Sequence, residues 1–251
     1  ALPFLVKEIS TTIYCTKLVS GFIEEKLSDY KIKDAKISVF DPEREVLTLG
    51  SFRITPFRVS HSVPDGVGFA IDTPEGRVFH VPDYKFDWTP VDKHPFDISK
   101  VSYLASEKTL AIVSDCLGAT TLGYTESEKG IEDRVEAIVS KTKGRVFFTT
   151  ISSNISRVQQ ALNVAQRNGR KVSFVGRSID RKAEIARRLG YLHYPFDLVI
   201  PSKKLVKFAA EKVMYIISGS YGQPGRALDR VSLGEHETLS VEKNDVVIFS
   251  S

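Results

Sequence analysis

The chain has 251 residues, of which 42% are hydrophobic and 26% are charged, and its formal net charge is +4. This composition excludes a disordered chain and is typical of a globular protein with one large core or two smaller ones. No apolar run approaches the roughly 18 to 20 residues of a membrane-spanning helix, and no signal peptide is visible, so we expect no membrane partner. Two cysteines far apart in sequence, Cys15 and Cys116, favour a reducing compartment and a cytoplasmic location.

The first half of the chain is rich in predicted strands. Short β-prone runs separated by turn residues cover 45–49, 52–59, 67–73 and 77–81. The last two runs are joined by Pro74-Glu75-Gly76, which has the chemistry of a tight turn and predicts a hairpin. Stacked sheets are the expected arrangement of this region.

The second half alternates strands with helices. Strands are predicted over 145–150, 171–175 and 213–218, and helices over 156–168 and 180–189. Such a βαβ succession predicts a mainly parallel sheet flanked by helices. We place the boundary between the two regions near residue 120, which gives domains at 1–120 and 121–251.

Two residues at predicted strand ends have the chemistry of metal ligands. His61 follows the second predicted strand, and Asp83 follows the hairpin. Zinc takes imidazole nitrogen and carboxylate oxygen at about 2.0 to 2.2 Å, and a carboxylate can bridge two ions about 3.5 to 4 Å apart. Two ligands do not complete a site, and on spacing alone an ordinary turn histidine and turn aspartate remain the alternative.

Polar residues follow the predicted strands of the second region. The strand ends read Ser152-Ser153-Asn154, Gly176-Arg177-Ser178 and Ser218-Gly219-Ser220. In an open α/β sheet, ligands lie beyond the carboxyl ends of the strands, and hydroxyls, a guanidinium and helix N-terminal amides can bind phosphate. Helix capping and turn formation are the alternative roles of Ser153, Asn154 and Ser178. No Walker loop or complete Rossmann glycine fingerprint follows a strand, so ATP and NAD are not expected.

Basic residues cluster in the second region. These clusters permit nucleic-acid binding, although solvated helix faces are the alternative, and only placement along a groove would make them a track for RNA. They comprise Arg167, Arg170, Lys171 and Arg177, then Arg181, Lys182, Arg187 and Arg188, then Lys203, Lys204 and Lys207.

The residues around His61 and Asp83 resemble two motifs of one family. His61 to Gly76 resembles the third metal-binding motif of ribonuclease J, and Phe79 to Asp92 resembles its fourth, in which the aspartate bridges two zinc ions. Ribonuclease J belongs to the metallo-β-lactamase superfamily, in the branch with a β-CASP domain. The resemblance continues, in the family's order, through Ser114-Asp115, 123–128, 153–155, 157–160, 168–172, 175–178 and 219–224.

This resemblance implies an α/β fold, with a partial metallo-β-lactamase αββα sandwich followed by a β-CASP domain with a mainly parallel sheet. It implies 5′-to-3′ exonuclease and endonuclease activity in RNA processing and decay, by hydrolysis of phosphodiesters with two zinc ions; a His/Asp site also accepts manganese. RNA, in the form of 5′-monophosphorylated single strands, would be the partner, and the full-length protein would be a homo-oligomer.

The resemblance also implies roles for individual residues. His61 would ligate one ion and Asp83 would bridge both, while Asp115 would orient ligands or handle protons. The RNA backbone or 5′-phosphate would be held by Ser153, Asn154, Arg177 and Ser178.

Some family features are missing or altered. The family's first metal motif, His-x-His-x-Asp-His, its later His-x-Ser-Gly-His motif and its final histidine ligand do not occur in this sequence. We therefore expect a fragment that is inactive alone, with an incomplete sandwich that exposes an apolar sheet face. Val81-Pro82-Asp83 stands where relatives usually have Thr-Gly-Asp, and Ser156 stands where they commonly have histidine. These departures keep open a noncatalytic RNA-binding subunit that pairs with an active paralogue and, less favoured, a small-molecule hydrolase of metallo-β-lactamase fold.

Overall fold

The chain folds into two compact units. The computed structural model describes residues 1–250, and the division between the units falls between Ser127 and Glu128. The boundary expected near residue 120 lies shortly before this point, and the assignment of 1–120 and 121–251 to two named domains stays a prediction. Among the described residues, no helix is long and apolar enough to cross a membrane.

The first unit is built around a five-stranded sheet with the order β3-β4-β5-β6-β7, and β1 and β2 form a separate parallel pair. Strands β3, β4, β5 and β6 pair with one another antiparallel in succession, and β7 pairs parallel with β6. The predicted hairpin is therefore confirmed. The elements are α1 (Leu2–Glu8), β1 (Thr12–Cys15), α2 (Lys17–Asp29), β2 (Lys36–Val39), β3 (Leu47–Leu49), β4 (Phe52–Arg58), β5 (Val67–Thr73), β6 (Gly76–Val81), α3 (Ile98–Ala105) and β7 (Thr109–Ser114).

An aromatic core lies on one face of this sheet. Phe57 and Phe79 come from β4 and β6, their ring centroids are 6.1 Å apart, and Phe96 packs on Phe57 at 5.9 Å. Gly68 of β5 lies opposite Phe57 in the ladder, and a Cβ at this glycine would be 2.4 Å from the Phe57 Cζ. Only glycine therefore lets the Phe57 ring lie against the β5 backbone.

The strand β7 is exposed along its whole length. The apolar side chains of Leu110, Ile112 and Val113 are 47%, 66% and 56% exposed. This strand agrees with the expectation of an exposed apolar part of the sheet in the first unit.

The second unit has a four-stranded parallel sheet with the order β11-β8-β10-β9. The predicted parallel sheet with covering helices is confirmed. Its elements are α4 (Lys129–Val139), β8 (Val146–Thr149), α5 (Ile155–Arg167), β9 (Lys171–Val175), α6 (Arg177–Leu189), α7 (Ser202–Leu205), a 3-10 turn (Ala210–Lys212), β10 (Val213–Ile217), α8 (Ala227–Ser232) and β11 (Val246–Phe249).

The boundaries of α6 differ from the sequence-based expectation at one end only. The helix begins at Arg177, whereas the pattern predicts a start at Asp180. The residue before it, Gly176, has φ 113°, which an L side chain rarely adopts. This backbone turn directs the chain from β9 into the helix at once, so the first turn of α6 follows the strand without a linker.

Arg170 is a buried structural residue and not part of an exposed basic cluster. Its side chain is 2% exposed, and its guanidinium donates to the carbonyl oxygens of Gly144, Val213 and Thr142 at 2.9, 3.0 and 2.6 Å. Burial lowers the pKa of this arginine. Arg170 therefore ties the start of β9 to the start of β10 and to the loop before β8.

Neighbours of Arg170 in the sequence cluster are also engaged within the second unit. Arg167 pairs with Glu132 and Glu136 of α4 at 2.6 and 2.8 Å, and Lys171 pairs with Asp197 at 2.6 Å. In the first predicted basic cluster, Arg170 is thus buried and Arg167 and Lys171 are held in ion pairs, while Arg167 and Arg177 are exposed.

We expect the change Arg170→Met to destabilise the second unit by about 2 to 4 kcal/mol, because it leaves several buried carbonyl oxygens without donors. Urea denaturation followed by circular dichroism measures this change. Arg44→Met is the control, since the Arg44 side chain is 86% exposed and its loss should alter stability by less than about 0.5 kcal/mol. Equal stability of the two variants would contradict this role of Arg170.

Candidate functional site

The candidate metal residues of the first unit lie at one edge of its sheet. His61 follows β4, Asp83 follows β6 and Asp115 follows β7. These strands run in the same direction, so their carboxyl ends meet at that edge. His61 Nε2 lies 3.8 Å from Asp83 Oδ2. The fold thus brings together the two residues that the sequence predicts as metal ligands.

Backbone hydrogen bonds hold the loops of this edge against one another. The Lys85 N–H donates to the Ser60 carbonyl oxygen at 2.8 Å, which joins the segment after Asp83 to the residue before His61. The Asp115 N–H donates to the Val81 carbonyl oxygen at 3.0 Å. The relative positions of the candidate side chains are therefore set by main-chain bonds and not by contacts among the side chains alone.

Aromatic packing fixes the chain that follows Asp83. Tyr84 and Phe86 pack on Phe96 with ring centroids 5.6 and 4.8 Å apart, and Phe96 belongs to the core of the unit. Aromatic pairs of this kind add about 0.5 to 1.5 kcal/mol each beyond the area they bury. The Asp83 side chain itself is 75% exposed. The carboxylate is thus displayed to solvent from a backbone that is held in place.

Asp65 anchors the loop that carries His61. It is 6% exposed, has φ 71°, and its carboxylate accepts a hydrogen bond from the Leu18 N–H in the first turn of α2 at 3.3 Å. Arg58 Nη1 lies 3.6 Å from the same carboxylate, and Thr16 Oγ1 donates to the Asp65 carbonyl oxygen at 3.0 Å. A negative charge is favourable at a helix N-terminus. The sequence shows Asp65 only as part of a motif, because its partners are distant in the chain.

The pair His61 and Asp83 suits a divalent cation in the kind of donor it offers. Two ligands of one tetrahedral zinc ion at about 2.1 Å lie about 3.4 Å apart, and the observed separation is 3.8 Å. Across residues 1–250, no group of three or more His, Cys, Asp or Glu is arranged to hold a metal ion. The pair therefore fits a metal as part of a ligand set and does not make a whole one.

Asp115 lies at the rim of an open cleft of about 550 Å³ in the first unit. Its Oδ1 accepts a hydrogen bond from the Leu117 N–H at 2.9 Å, so the carboxylate is oriented by its own loop. The cleft is lined by Tyr84, Lys85, Phe86, Asp115, Cys116, Leu117, Gly118, Ala119, Thr121, Leu122, Gly123, Tyr124 and Thr125. The residues after Asp83 and those after Asp115 thus share one concave surface.

The two cysteines differ in exposure, so a thiol reagent can label the cleft selectively. Cys116 lies in the cleft and is exposed, whereas Cys15 is buried. Burial raises the pKa of the Cys15 thiol to about 11, with further contributions from the charges of Glu24 and Asp65. Since the thiolate is the reactive form, Cys15 reacts slowly well below that pH.

We expect iodoacetamide at pH 8 to modify Cys116 of the native protein before Cys15. Reactivity of Cys15 should rise only as the pH approaches about 11, because its thiolate forms there. Mass spectrometry of tryptic peptides measures both rates, and Cys116→Ser is the control that should remove nearly all early labelling. Equal rates at the two cysteines would contradict the burial of Cys15.

The phosphate candidates of the second unit lie at the carboxyl edge of the parallel sheet. Ser152 Oγ is 2.8 Å from Ser178 Oγ, which joins the end of β8 to the first turn of α6. Arg177 is exposed at the start of that helix, and Ser153 is half-buried beside Ser152. The structure therefore gathers Ser153, Arg177 and Ser178, and it adds Ser152, which the sequence offers only as part of the same strand end.

Asn154 has a structural role at this edge. It is 8% exposed, and its side-chain oxygen caps α5 by accepting a hydrogen bond from the Arg157 N–H at 2.9 Å. The capping role that the sequence left open for Asn154 is confirmed. Its candidate role in holding RNA stays a prediction.

Arg157 is a buried residue that sequence reasoning did not single out. It is 6% exposed, its Nη1 donates to Ser250 Oγ at 2.5 Å and its Nη2 donates to the Glu128 carboxylate. Ser250 directly follows β11, so the guanidinium links the end of that strand to the start of α5 and to the start of α4. Arg157 thereby fixes the positions of α4, α5 and the end of β11 relative to one another.

Comparison with known proteins shows a family model that matches part of the chain and relatives that align with nearly all of it. Residues 143–251 match the family model described as "Ribonuclease J, beta-CASP domain". Ribonuclease J of Helicobacter pylori (strain J99) is 33% identical over 253 aligned residues, which cover 100% of this chain and 36% of that protein. Ribonuclease J2 of Bacillus subtilis is 32% identical over 99% of this chain and 45% of its own length, and ribonuclease J of Thermus thermophilus is 32% identical over 100% and 45%.

A solved structure shares the fold. The crystal structure of a protein of unknown function from Enterococcus faecalis V583 aligns with a TM-score of 0.60 over 85% of this chain and 54% of that one. The identity is 11%, so this likeness concerns the fold alone. The predicted mixed α/β fold class, with a parallel sheet and covering helices, is confirmed.

The chain is thus an α/β protein whose residues 143–251 match a β-CASP domain. The predicted resemblance to ribonuclease J is then confirmed along the whole chain, and the β-CASP domain is of the ribonuclease J type. The chain spans 36% to 45% of the length of the curated relatives named above.

Proposed function

We propose that this chain is part of a metal-dependent ribonuclease of the ribonuclease J type. The observation that carries the proposal is the 3.8 Å approach of His61 and Asp83 at the carboxyl edge of the sheet. It is supported by the alignment of the whole chain with proteins named ribonuclease J, which makes the chain a nuclease relative. The use of metal, the substrate and the mode of cleavage belong to the proposal.

Two divalent ions, zinc or manganese, would supply Lewis-acid stabilisation and a water of lowered pKa when bound. His61 Nε2 would hold one ion, and the Asp83 carboxylate would lie between the two. The Asp83 side chain is 75% exposed, and His61 Nε2 lies 3.3 Å from Ser62 Oγ, a hydrogen bond that an ion on this nitrogen would replace. Asp115, fixed at the cleft rim, would orient a ligand or accept a proton.

The second unit would bind the RNA end. Ser153, Arg177 and Ser178 offer hydroxyls, a guanidinium and the N-terminal turn of α6, which together suit a 5′-monophosphate. Asn154 would contribute to the RNA-binding edge while it caps α5. Recognition of that end would give 5′-to-3′ exonuclease action, and internal cleavage would accompany it.

The cellular setting belongs to the same proposal. The full-length protein would act as a homo-oligomer on single-stranded RNA in the cytoplasm, in RNA processing and decay. The 251-residue chain by itself would be inactive, because the pair of His61 and Asp83 is only part of a ligand set.

A noncatalytic RNA-binding subunit is the second candidate function. Pro82 directly precedes Asp83 and has no N–H to donate, so the neighbourhood of the proposed bridging carboxylate is altered. Such a subunit would bind RNA and pair with an active paralogue. The hydrolase of small molecules has no structural observation of its own in its favour.

We expect Asp83→Ala in the full-length protein to reduce degradation of a 5′-monophosphorylated RNA at least about 1000-fold, because a bridging ligand of the metal pair is lost. Denaturing gels follow the RNA, and plasma emission spectrometry follows bound metal, which should fall as well. Asp34→Ala, at an exposed aspartate away from this edge, is the matched control. A folded wild-type protein that binds RNA without degrading it would favour the noncatalytic subunit.

We expect Ser178→Ala and Arg177→Ala to reduce the preference for 5′-monophosphate over 5′-hydroxyl RNA by about five- to tenfold each, since each removes a donor to phosphate. The ratio of the two degradation rates measures this preference. Lys203→Ala, at an exposed basic residue of α7, should leave the ratio unchanged. Equal loss of activity on both RNAs would show that these residues do not read the 5′ end.

A further inference from the structure

The loop after α6 presents aromatic side chains at the surface beside basic ones. The helix ends at Leu189, and the following residues read Gly190-Tyr191-Leu192-His193-Tyr194-Pro195-Phe196. Phe196 is 88% exposed. The Arg187 guanidinium carbon lies 4.2 Å from the centroid of the Tyr194 ring, within the range of a cation–π interaction. We call Arg187, Tyr194 and Phe196 the aromatic tip.

The aromatic tip is mounted on a well-anchored loop. The side-chain amide of Gln159 accepts from the His193 N–H and donates to the His193 carbonyl oxygen, both at 2.8 Å. Leu192 and Leu198, on either side of the tip, are 1% and 5% exposed. The Val172 N–H donates to the Leu198 carbonyl oxygen at 2.9 Å, which fixes the far side of the loop to β9. The loop backbone is therefore already fixed before a ligand binds, which lowers the ordering cost of binding.

Arg187 is not needed to cap its helix. Basic residues in a last turn commonly offset the negative end of the helix dipole. Here Gly190, with φ 86°, closes α6 by donating its N–H to the Ala186 and Arg187 carbonyl oxygens. The Arg187 guanidinium lies over an aromatic ring instead. The positive charge of Arg187 therefore lies beside the Tyr194 ring.

The charges around the tip favour an anionic ligand. Asp197 is paired with Lys171, whose Nζ lies 2.6 Å from it, and this ion pair lowers the pKa of the Asp197 carboxyl. Arg188 is exposed next to Arg187, and Glu184, one turn earlier in α6, is the opposing exposed acid. At the end of α6, two exposed arginines, Arg187 and Arg188, thus stand beside one exposed acid, Glu184.

An arginine stripe runs along α6 from the phosphate candidates to the tip. Arg177, Arg181 and Arg188 share one face, because their spacings of four and seven residues return to within about 40° on a helix. Glu184 lies on the same face, between Arg181 and Arg188. The helix has 13 residues and is therefore about 20 Å long. The phosphate candidates and the aromatic tip lie at its opposite ends.

We propose that the aromatic tip is a second binding site for single-stranded RNA, separate from the site for the 5′-phosphate. Stacking of bases on aromatic rings combined with arginine contacts is the usual means of binding single strands without sequence preference. Bases would stack on Phe196 and Tyr194, and the arginines would contact the phosphates. The inference rests on the proposed function in one respect, namely that the ligand is RNA.

The test is fluorescence anisotropy of a 20-nucleotide single-stranded RNA with a 5′-hydroxyl end, bound to the full-length protein in EDTA to suppress metal-dependent cleavage. Phe196→Ala and Tyr194→Ala should each weaken binding about tenfold. Glu184→Gln should tighten binding, because it removes the opposing negative charge. A 5′-phosphorylated dinucleotide is too short to span α6, so Phe196→Ala should not alter its binding.

Matched controls separate the inference from its alternatives. Tyr103→Ala removes a ring that is 77% exposed in the first unit, and it should leave RNA affinity unchanged. Circular dichroism should show unaltered folding of Phe196→Ala, since this ring contributes little buried area. Binding of the same RNA as a duplex should respond little to either ring, because its bases are already stacked.

Each other outcome overturns the inference in a distinct way. If the wild-type protein binds no RNA, both the proposed function and the second site are wrong. If the wild-type protein binds RNA and Phe196→Ala binds it equally well, the second site is wrong and the proposed function stands. If Phe196→Ala changes sedimentation but not RNA affinity, the tip is a protein contact and not an RNA site.

Discussion

The common direction of β4, β6 and β7 is the constraint on which the candidate metal edge depends. Val81 of β6 lies opposite Ser114 of β7, and the Asp115 N–H donates to the Val81 carbonyl oxygen at 3.0 Å. Since β4 and β6 are each antiparallel to β5, all strands that end in a candidate residue point the same way. An antiparallel β7 would carry Asp115 to the opposite edge of the sheet. The chemistry proposed for this edge thus depends first on strand direction, because strand direction brings the candidate side chains together.

The second unit uses buried arginines to maintain a comparable edge. Arg170 binds carbonyl oxygens near the amino ends of β8 and β10, and Arg157 joins Ser250, after the carboxyl end of β11, to Glu128. A guanidinium has five donors in a rigid plane, which suits it to join several segments at once. The exposed residue Arg177 can then serve binding, because the frame does not depend on it.

The sequence predicts what local patterns determine. The hairpin at Gly76 and the parallel sheet follow from turn chemistry and from alternating strands and helices, and both are confirmed. The approach of His61 to Asp83 needs this hairpin together with the antiparallel pairing of β4 with β5. The burial of Arg170 and the anchoring by Asp65 could not be predicted, because their partners are far away in the chain and a basic or acidic residue carries no local sign of burial.

The most direct test of the metal edge is the anomalous scattering of zinc in crystals of the full-length protein. The account predicts two peaks about 3.5 to 4 Å apart, with the Asp83 carboxylate between them and His61 Nε2 about 2.1 Å from one of them. Zinc peaks that contact neither His61 nor Asp83 in an active ribonuclease would contradict it.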